Sequence, residues 1–438
     1  MDYFHDDFRN GDGSSRILYL DDQVTGEVYT KEQIDEALKS GNRAQARQIV
    51  PSFDGSGHGT AVAGIAAGNG REDNGRYRGV AWESDLIVVK LGIPDPDGFP
   101  RTTQVMEGLD FVVRAAQALG RPLAVNLSFG NTYGSHDGNG LLERFLDSLT
   151  EMGRSVFVAG SGNEGDASGH TMVEMAAGGT SEIQFSVAPY ETGFSVQLWK
   201  HYEDSFDIFI YNPGRTLIER VSSRMGPQRI NMGRTDVLVY YGEPSPFNPS
   251  QEIYFDFIPR EDYVESGIWQ ITLKAGEIVD GTVHFWLPSS SALNRATRFL
   301  KPVPDTTLTI PSTALRPITV GAYDDSNLTY AAFSGRGDTR LYRIPKPDIS
   351  APGVGIITTK NGGGYAPVTG TSFAAPFVTG SAALLMEWGI VRGNDAYLYG
   401  EKVKAYLRKG ARPLPGFDVY PNPQVGWGAL CVRDSLPM

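Results

Sequence analysis

The sequence predicts an α/β fold with an antiparallel β module inserted into it. The first part of the chain carries continuous apolar runs, "DLIVVKLG", "PLAVNLSFG" and "SVFVAGSGN", which are typical of parallel strands buried on both faces. Helical stretches such as "TTQVMEGLDFVVRAAQALG" lie between them, and this alternation indicates an α/β domain. From about Glu174 to Leu300 the pattern changes to short alternating strands that are rich in aromatic residues.

The middle region contains a series of strand-like runs separated by turn residues. They are "EIQFSV", "FSVQLW", "FDIFIY", "DVLVYY", "EIYFDFI", "IWQITL" and "TVHFWL". Regular short strands of this kind are typical of an antiparallel sandwich or jelly roll. After Leu300 the buried strand "PITVGAYD" and the apolar helix "TSFAAPFVTGSAALLMEWG" restore the α/β pattern. We therefore expect α/β parts at 1–170 and 304–438, with a jelly-roll insert at 171–303.

Composition limits the classes of function. The chain has 438 residues and a formal net charge of −12, which disfavours a nucleic-acid partner. Its single cysteine, Cys431, cannot form an internal disulfide. No run of about 18 apolar residues occurs, so we expect no membrane span. The start "MDYFHDDFRN" lacks the pattern of a signal peptide, which favours a cytoplasmic location.

Three short motifs hold the candidate chemistry. His58 lies in "DGSGHGTAVAGIAAG", and an imidazole can take and return a proton near neutral pH. Ser372 begins an apolar helix in "GTSFAAP", where free N–H groups would stabilise an anion. Asn163 ends a buried strand in "VAGSGNEG", and its NH₂ group could donate to the same anion. Each residue alone has a simpler interpretation, as a structural histidine, a helix cap or a turn residue.

Together and in this order, the motifs resemble those of the subtilisin-like serine proteases, the subtilases. The motifs are "HGTAVAGIAAG", "NLSFG", "SGNEG", "ITVGAYD", "KPDISAPG" and "GTSFAAP". The resemblance covers roughly Asp54–Asn163 and Thr309–Trp388 and implies a subtilisin-like parallel sheet flanked by helices. A finer resemblance is to the clostridial germination-specific subtilases of the Csp type, which carry a jelly-roll insert and an acidic segment before the histidine. It implies a spore-associated location and a protein or peptide substrate, such as a spore cortex hydrolase precursor.

The resemblance assigns catalytic roles to the three motif residues. Ser372 is the nucleophile of an endopeptidase that acts through an acyl-enzyme, and His58 is the general base and then the general acid. Asn163 and the backbone N–H of Ser372 form the oxyanion hole. No cofactor is implied. Subtilases often bind structural calcium, but the sequence shows no loop of oxygen ligands and no histidine spacing for a catalytic metal.

The same resemblance implies where substrate binds. Ser128, Phe129 and Gly130 would pair with the substrate backbone, and Ala159 and Gly160 would wall the primary specificity pocket. Asn131 stands where many subtilases have a second glycine, which predicts a changed entrance to that pocket.

The acid of the triad is the part of the pattern that does not match. Subtilases take it from an Asp-(Thr/Ser)-Gly motif at the end of a central strand, and "ILYLDDQVTG" contains no such motif. In the closer relatives that motif directly precedes a segment like "MDYFHDDFRN". The resemblance therefore places the acid upstream of Met1, in a longer form of the chain, and leaves Asp22 as a weaker substitute. It also implies that two strands next to the absent central strand have unpaired backbone groups.

Two alternatives to catalysis follow from the same residues. Without an acid, His58 lacks the group that orients its ring, so the chain could be a non-catalytic pseudoprotease that binds a protein partner or a germination signal. Separately, Trp199, Trp269 and Trp286 in the insert would allow carbohydrate binding, although alternating aromatic residues in strands usually form core.

Overall fold

A computed structural model describes residues 1–92, 100–243, 245–246, 248–341 and 343–436. The strands are, in chain order, β1 (Ile17–Asp22), β2 (Glu27–Thr30), β3 (Leu86–Lys90), β4 (Leu123–Leu127), β5 (Ser155–Gly160), β6 (His170–Glu174), β7 (Thr180–Val187), β8 (Phe194–His201), β9 (Phe206–Tyr211), β10 (Ile218–Val221), β11 (Gly226–Met232), β12 (Thr235–Tyr241), β13 (Ser250–Pro259), β14 (Gly267–Ala275), β15 (Thr282–Trp286), β16 (Arg298–Phe299), β17 (Ile318–Asp324), β18 (Thr329–Tyr330), β19 (Ile349–Pro352), β20 (Ile356–Thr359) and β21 (Tyr365–Val368).

The α-helices are, in chain order, α1 (Lys31–Lys39), α2 (Arg43–Ile49), α3 (His58–Ala67), α4 (Thr102–Ala118), α5 (Leu141–Glu151), α6 (Thr371–Met386), α7 (Gly400–Lys409) and α8 (Val432–Ser435).

The parallel strands form two separate sheets. In the first, β1 pairs in parallel with β3 and antiparallel with β2. In the second, β4, β5, β17 and β19 run parallel in that order, and β18 adds antiparallel to β17. Within the part of the chain that the structure describes, one edge of β3 and one edge of β4 pair with no strand. Both strands are only half-buried along their whole length, unlike β5, which is fully buried.

Helices cover these sheets with apolar faces. Helix α4 connects the two sheets and buries Val105, Leu109 and Val113, whose spacing of four residues places them on one face. Helix α6 is apolar nearly all round because it packs against β4, β5 and β17 and also against α3. The segment Thr371–Val391 is long and apolar enough to cross a membrane, but most of it is buried inside the protein. Among the described residues one segment passes this test, although the absence of a continuous apolar run predicted none.

The inserted region folds as two antiparallel sheets. One contains β10, β9, β14, β7 and β16, and the other contains β11, β12, β13, β8, β15 and β6. The sheets share one large apolar core, to which Phe185, Trp269 and Ile271 contribute from the first sheet and Phe255 and Phe285 from the second. We call this two-sheet block the sandwich.

The mixed α/β fold class is confirmed, and each of the apolar runs quoted above is a strand or helix. In the sandwich, the seven quoted runs correspond to β7, β8, β9, β12, β13, β14 and β15. The sequence did not indicate β10 and β11, because both are largely exposed and polar and so lack a buried apolar alternation. Trp269 and Trp286 are buried in the interior, so they offer no platform for a sugar, and the carbohydrate-binding alternative loses two of its three aromatic residues.

Candidate active site

His58 is the first residue of helix α3. Gly57 before it has φ of +79°, a conformation that glycine adopts without strain. The carboxylate of Asp54 caps the helix: Oδ1 accepts from the Gly57 N–H at 2.8 Å, and Oδ2 accepts from the N–H of Thr60 at 3.0 Å and its hydroxyl at 2.6 Å. Asp54 was not among the residues predicted from the sequence. It lies three residues before Gly57, the N-cap residue of α3, so the usual N-cap pattern does not identify it.

The surroundings of His58 favour its neutral form. Although part of its surface is open to solvent, the protein packed around the ring lowers its pKa below the usual range. The Asp54 carboxylate acts in the opposite direction, and the amino group of Met1 lowers the pKa further. A neutral imidazole is the form that a general base requires.

The amino group of Met1 lies beside the cap of helix α3. It is 3.7 Å from Asp54 Oδ2, and the next backbone N–H, of Asp2, donates to the Thr60 hydroxyl at 2.7 Å. Burial alone would raise the pKa of Asp54, but this amino group and the Thr60 hydroxyl lower it to about 2. Asp54 is therefore ionised at neutral pH and fully occupied by the cap.

Ser372 is the second residue of helix α6. Gly370, just before the helix, has φ of +146°, and a β-carbon there would lie 3.5 Å from Asn163 Nδ2. The Ser372 carbonyl accepts a hydrogen bond from the Ser128 hydroxyl at 2.6 Å. The Ser372 side chain remains partly exposed at the amino end of the helix. The Thr371 N–H donates to Asn163 and the Phe373 N–H to the Gly370 carbonyl, which leaves the Ser372 N–H between them to bind an anion.

A chain of hydrogen bonds fixes Ser128 against helix α6. The Asn126 amide donates to the Ser128 hydroxyl at 2.8 Å, and its oxygen accepts from the Thr379 hydroxyl at 2.9 Å. Ser128 thus contacts the helix at Ser372, and Asn126 contacts it two turns later. The sequence analysis did not single out Asn126 or Thr379, because polar residues in a buried strand and helix are identified as partners only when the two are packed.

Asn163 lies just beyond β5 and is exposed. Its side-chain oxygen accepts from the Thr371 N–H at 3.0 Å and from the Thr371 hydroxyl at 3.1 Å. Because the Thr371 N–H can only donate, this assigns the oxygen of the Asn163 amide. Its NH₂ group is thereby left to donate to a group placed over the start of helix α6.

His58, Ser372 and Asn163 gather at the amino ends of two packed helices. The His58 ring lies 5.4 Å from the Phe373 ring, between centroids, and Phe373 packs with the apolar face of α3. Within the described residues, however, the His58 ring has no hydrogen-bond partner. The arrangement brings a hydroxyl, an imidazole and two N–H donors to one place, but no hydrogen bond among the described residues orients the imidazole.

Asp22 does not supply the missing partner. It is buried, with Oδ2 3.1 Å from Lys90 Nζ and Oδ1 accepting from the Val24 N–H at 3.0 Å. It is not among the charges that act on the pKa of His58. The structure therefore places Asp22 in a buried ion pair and a turn.

The residues expected to contact substrate differ in how much of their surface is exposed. Phe129 and Gly130 are half-buried, whereas Ala159 has no exposed surface. A β-carbon on Gly160 would lie 3.1 Å from the Thr371 carbonyl, so Gly160 faces the helix. Asn131 exchanges two backbone hydrogen bonds with Ile310, at 3.2 and 2.8 Å, which continues the first wall.

The sandwich holds the loop 131–137, which we call the buttress loop. The Thr132 hydroxyl donates to the Leu287 carbonyl at 2.8 Å. The ring nitrogens of His136 lie 2.8 Å from the Leu308 carbonyl and 2.9 Å from the Thr132 carbonyl, and the ring stacks on Trp286 at 4.1 Å. The buttress loop therefore links the sandwich to the segment 308–310 and, through Asn131, to the expected substrate-binding segment 128–130.

The described residues contain no group of three or more histidine, cysteine or acidic side chains that could hold a metal ion. No calcium ligand set can be assigned among them.

The chain is similar to known proteases in sequence and in fold. The model of the Subtilase family, peptidase S8, matches residues 13–234 and 286–428. The structure of the Clostridium perfringens CspB protease superposes with a TM-score of 0.91 at 36% identity, over 99% of this chain and 90% of that chain.

Curated relatives match shorter segments. Serine protease AprX of Bacillus subtilis (strain 168) is 35% identical over 151 residues, 30% of this chain and 32% of that protein. The PII-type proteinase of Lactococcus lactis subsp. cremoris is 46% identical over 59 residues, 14% of this chain and 3% of that protein. The chain thus spans a third or less of these two relatives. The family match and the CspB likeness lead to one conclusion: the chain belongs to the subtilase family of serine proteases.

Proposed function

We propose that this subtilase is a serine endopeptidase in which Ser372 attacks the scissile carbonyl and His58 takes the serine proton. The negative oxygen of the tetrahedral intermediate would lie between the Ser372 N–H and the NH₂ of Asn163. His58 would then return the proton to the leaving amine, and water would hydrolyse the acyl-enzyme by the same steps.

One observation carries this proposal. The Asn163 amide is fixed by its oxygen to Thr371, so its NH₂ group is set beside the amino end of the helix on which Ser372 lies. A donor preorganised in this way is what an oxyanion hole needs.

We further propose that the acid arrives on a strand that seats between β3 and β4. Each of these strands has an edge without a partner among the described strands, and both are half-buried. Ser128 follows the carboxyl end of β4, so a strand parallel to β4 would end on the same side as the candidate site. An acid at that end would give the His58 ring the hydrogen-bond partner that it lacks.

The substrate we propose is a protein or peptide. The finer resemblance to the Csp-type subtilases favours a spore cortex hydrolase precursor, with action at the spore. The 36% identity to the CspB protease supports this choice of relatives.

A fluorophosphonate probe tests the catalytic proposal directly. The probe should attach covalently to Ser372 of the folded protein, and peptide mapping should locate the adduct. The Ser372→Ala variant is the matched control and should show no labelling. His58→Ala should slow labelling strongly without loss of the fold.

The competing function is that of a non-catalytic binder. The unpartnered His58 ring is the observation that favours it. If the folded protein is not labelled, with or without an added acid-bearing strand, the binding role replaces catalysis.

A further inference from the structure

Thr309 lies between two glycines on opposite sides of the expected specificity pocket. A β-carbon on Gly130 would lie 2.4 Å from Thr309 Oγ1 and 3.0 Å from its β-carbon. A β-carbon on Gly162 would lie 2.4 Å from Thr309 Cγ2 and 2.6 Å from Oγ1. One threonine side chain therefore occupies the space that both glycines leave open, and it is only 3% exposed.

The backbone around Thr309 is held on both sides. Its N–H donates to the Ser161 carbonyl at 3.0 Å, and its carbonyl accepts from the Ser312 N–H at 2.8 Å and hydroxyl at 2.6 Å. Ile310, the next residue, forms the backbone pair with Asn131 described above. A ligand therefore cannot push this threonine aside without breaking several hydrogen bonds.

We propose that Thr309 closes the base of the primary specificity pocket, so that the enzyme accepts glycine, alanine or serine immediately before the scissile bond. This inference rests on the proposed function, because it takes 128–130 and 160–162 as the walls that flank the substrate. An aromatic side chain would need the volume that the threonine fills, and close-packed interiors tolerate such overlap poorly. The glycines on the walls leave room for the threonine rather than for a large substrate side chain.

Product-like peptides that end in alanine or phenylalanine measure this selectivity without requiring turnover. Their dissociation constants for the full chain can be determined by calorimetry. We expect the alanine peptide to bind at least about tenfold more tightly than the phenylalanine peptide, the scale on which pockets discriminate a few methylene groups. Thr309→Gly should shift the ratio towards phenylalanine by at least about tenfold.

Two further variants separate pocket shape from folding. Thr309→Val has the same shape and should keep the preference for alanine. Thr309→Ser loses only the methyl group and should shift the ratio in the same direction as Thr309→Gly, by less. If Thr309→Gly has a much lower melting temperature than the wild type, the Thr309→Ser variant alone tests the shape of the pocket.

Three results would overturn the inference: equal binding of both peptides by the wild type, a ratio unchanged in both Thr309→Gly and Thr309→Ser, or no binding of either peptide at millimolar concentration. Failure of catalysis is distinguishable from these. If the protein shows the expected selectivity but Ser372 is not labelled, the inference about the pocket stands and the proposed peptidase activity is wrong.

Discussion

The two halves of the candidate site differ in how firmly they are held. On the Ser372 side, hydrogen bonds from Ser128 and Thr371 fix the nucleophile and Asn163, and the buttress loop ties the adjoining segments to the sandwich. On the His58 side, the ring contacts Phe373 and the described residues offer it no hydrogen bond.

This difference shows which residues of the site are held in place by the described chain alone. The anion-binding half is complete in local hydrogen bonds, because strand β5, strand β4 and helix α6 are all present and packed. In our proposal, the proton-transfer half depends on a strand between β3 and β4, where the described chain has none. The slower reaction that we expect of the unaided chain would thus come from an unoriented base and not from a damaged nucleophile.

The largest effect should come from supplying the acid in trans. A synthetic peptide with an apolar strand that ends in Asp-Thr-Gly should add between β3 and β4 and orient His58. In subtilisin the loss of the triad acid alone lowers kcat by about 3 × 10⁴-fold, so labelling of Ser372 should accelerate by about 100-fold or more.

The matched control for this experiment is the same peptide with Asn in place of Asp. It should bind equally well but accelerate labelling far less, because an amide cannot stabilise the imidazolium as a carboxylate does. Equal acceleration by both peptides would contradict the role of the acid. If neither peptide binds, the proposed position of the strand between β3 and β4 is wrong.

The second effect concerns the well-held half. Asn163→Ala should lower kcat by about 100- to 1,000-fold with KM nearly unchanged, because it removes one oxyanion donor. It should also lower the melting temperature, because the Thr371 N–H and hydroxyl lose their acceptor. Steady-state peptide hydrolysis in the presence of the acid-bearing peptide measures kcat and KM. Asn327→Ala, in an exposed turn, is the control. A loss that appears mainly in KM would mean that Asn163 binds substrate and does not stabilise the transition state.

Most of the fold and half of the site follow from the sequence. Runs such as "LIVVK" and "SVFVAG" are apolar enough to identify their strands, and the motifs around His58, Asn163 and Ser372 identify the helix and strand ends that converge. The bounds of the three segments and the catalytic roles remain predictions.

The parts that the sequence did not predict depend on packing between distant segments. Thr309 has no motif of its own, and its position between Gly130 and Gly162 is visible only once three segments are assembled. His136 likewise joins carbonyls of Thr132 and Leu308, which lie far apart in sequence. Single-sequence patterns report local periodicity and cannot specify such contacts.

The third prediction concerns acid stability at the sandwich interface. Burial lowers the pKa of His136 to about 4 and that of His170 to about 3, against about 6.5 in an unfolded chain. Between these values the unfolded chain binds more protons than the folded one, so stability is present above pH 6.5 and is lost as pH falls towards 4. For His136 alone the loss is about 3 kcal/mol.

Urea unfolding between pH 7 and 4 measures this dependence. His136→Phe retains the stacking on Trp286 but cannot titrate, so it should be less stable at pH 7, by about 1–3 kcal/mol for the carbonyl that loses its N–H donor, and should lose less on acidification. His201→Phe, on a partly exposed part of the sandwich, should follow the wild type. An unchanged slope in His136→Phe would mean that His136 does not contribute to the acid sensitivity.

The smallest effect that we expect concerns His58 and the pH dependence of Ser372 labelling. Labelling of Ser372 should rise with pH as His58 loses its proton, and the midpoint should lie below the ordinary histidine pKa because the packed surroundings disfavour the charged ring. Asp54 is the carboxylate that opposes this shift, so Asp54→Asn should move the midpoint to still lower pH. Asparagine has one acceptor oxygen where the carboxylate uses two, so it can keep the bond from Gly57 or the bonds from Thr60 but not both, and the melting temperature of the variant should be measured beside its labelling rates. Labelling rates from pH 5 to 8 measure both midpoints. A midpoint that stays in place or moves upward in Asp54→Asn would show that the Asp54 carboxylate does not raise the pKa of His58.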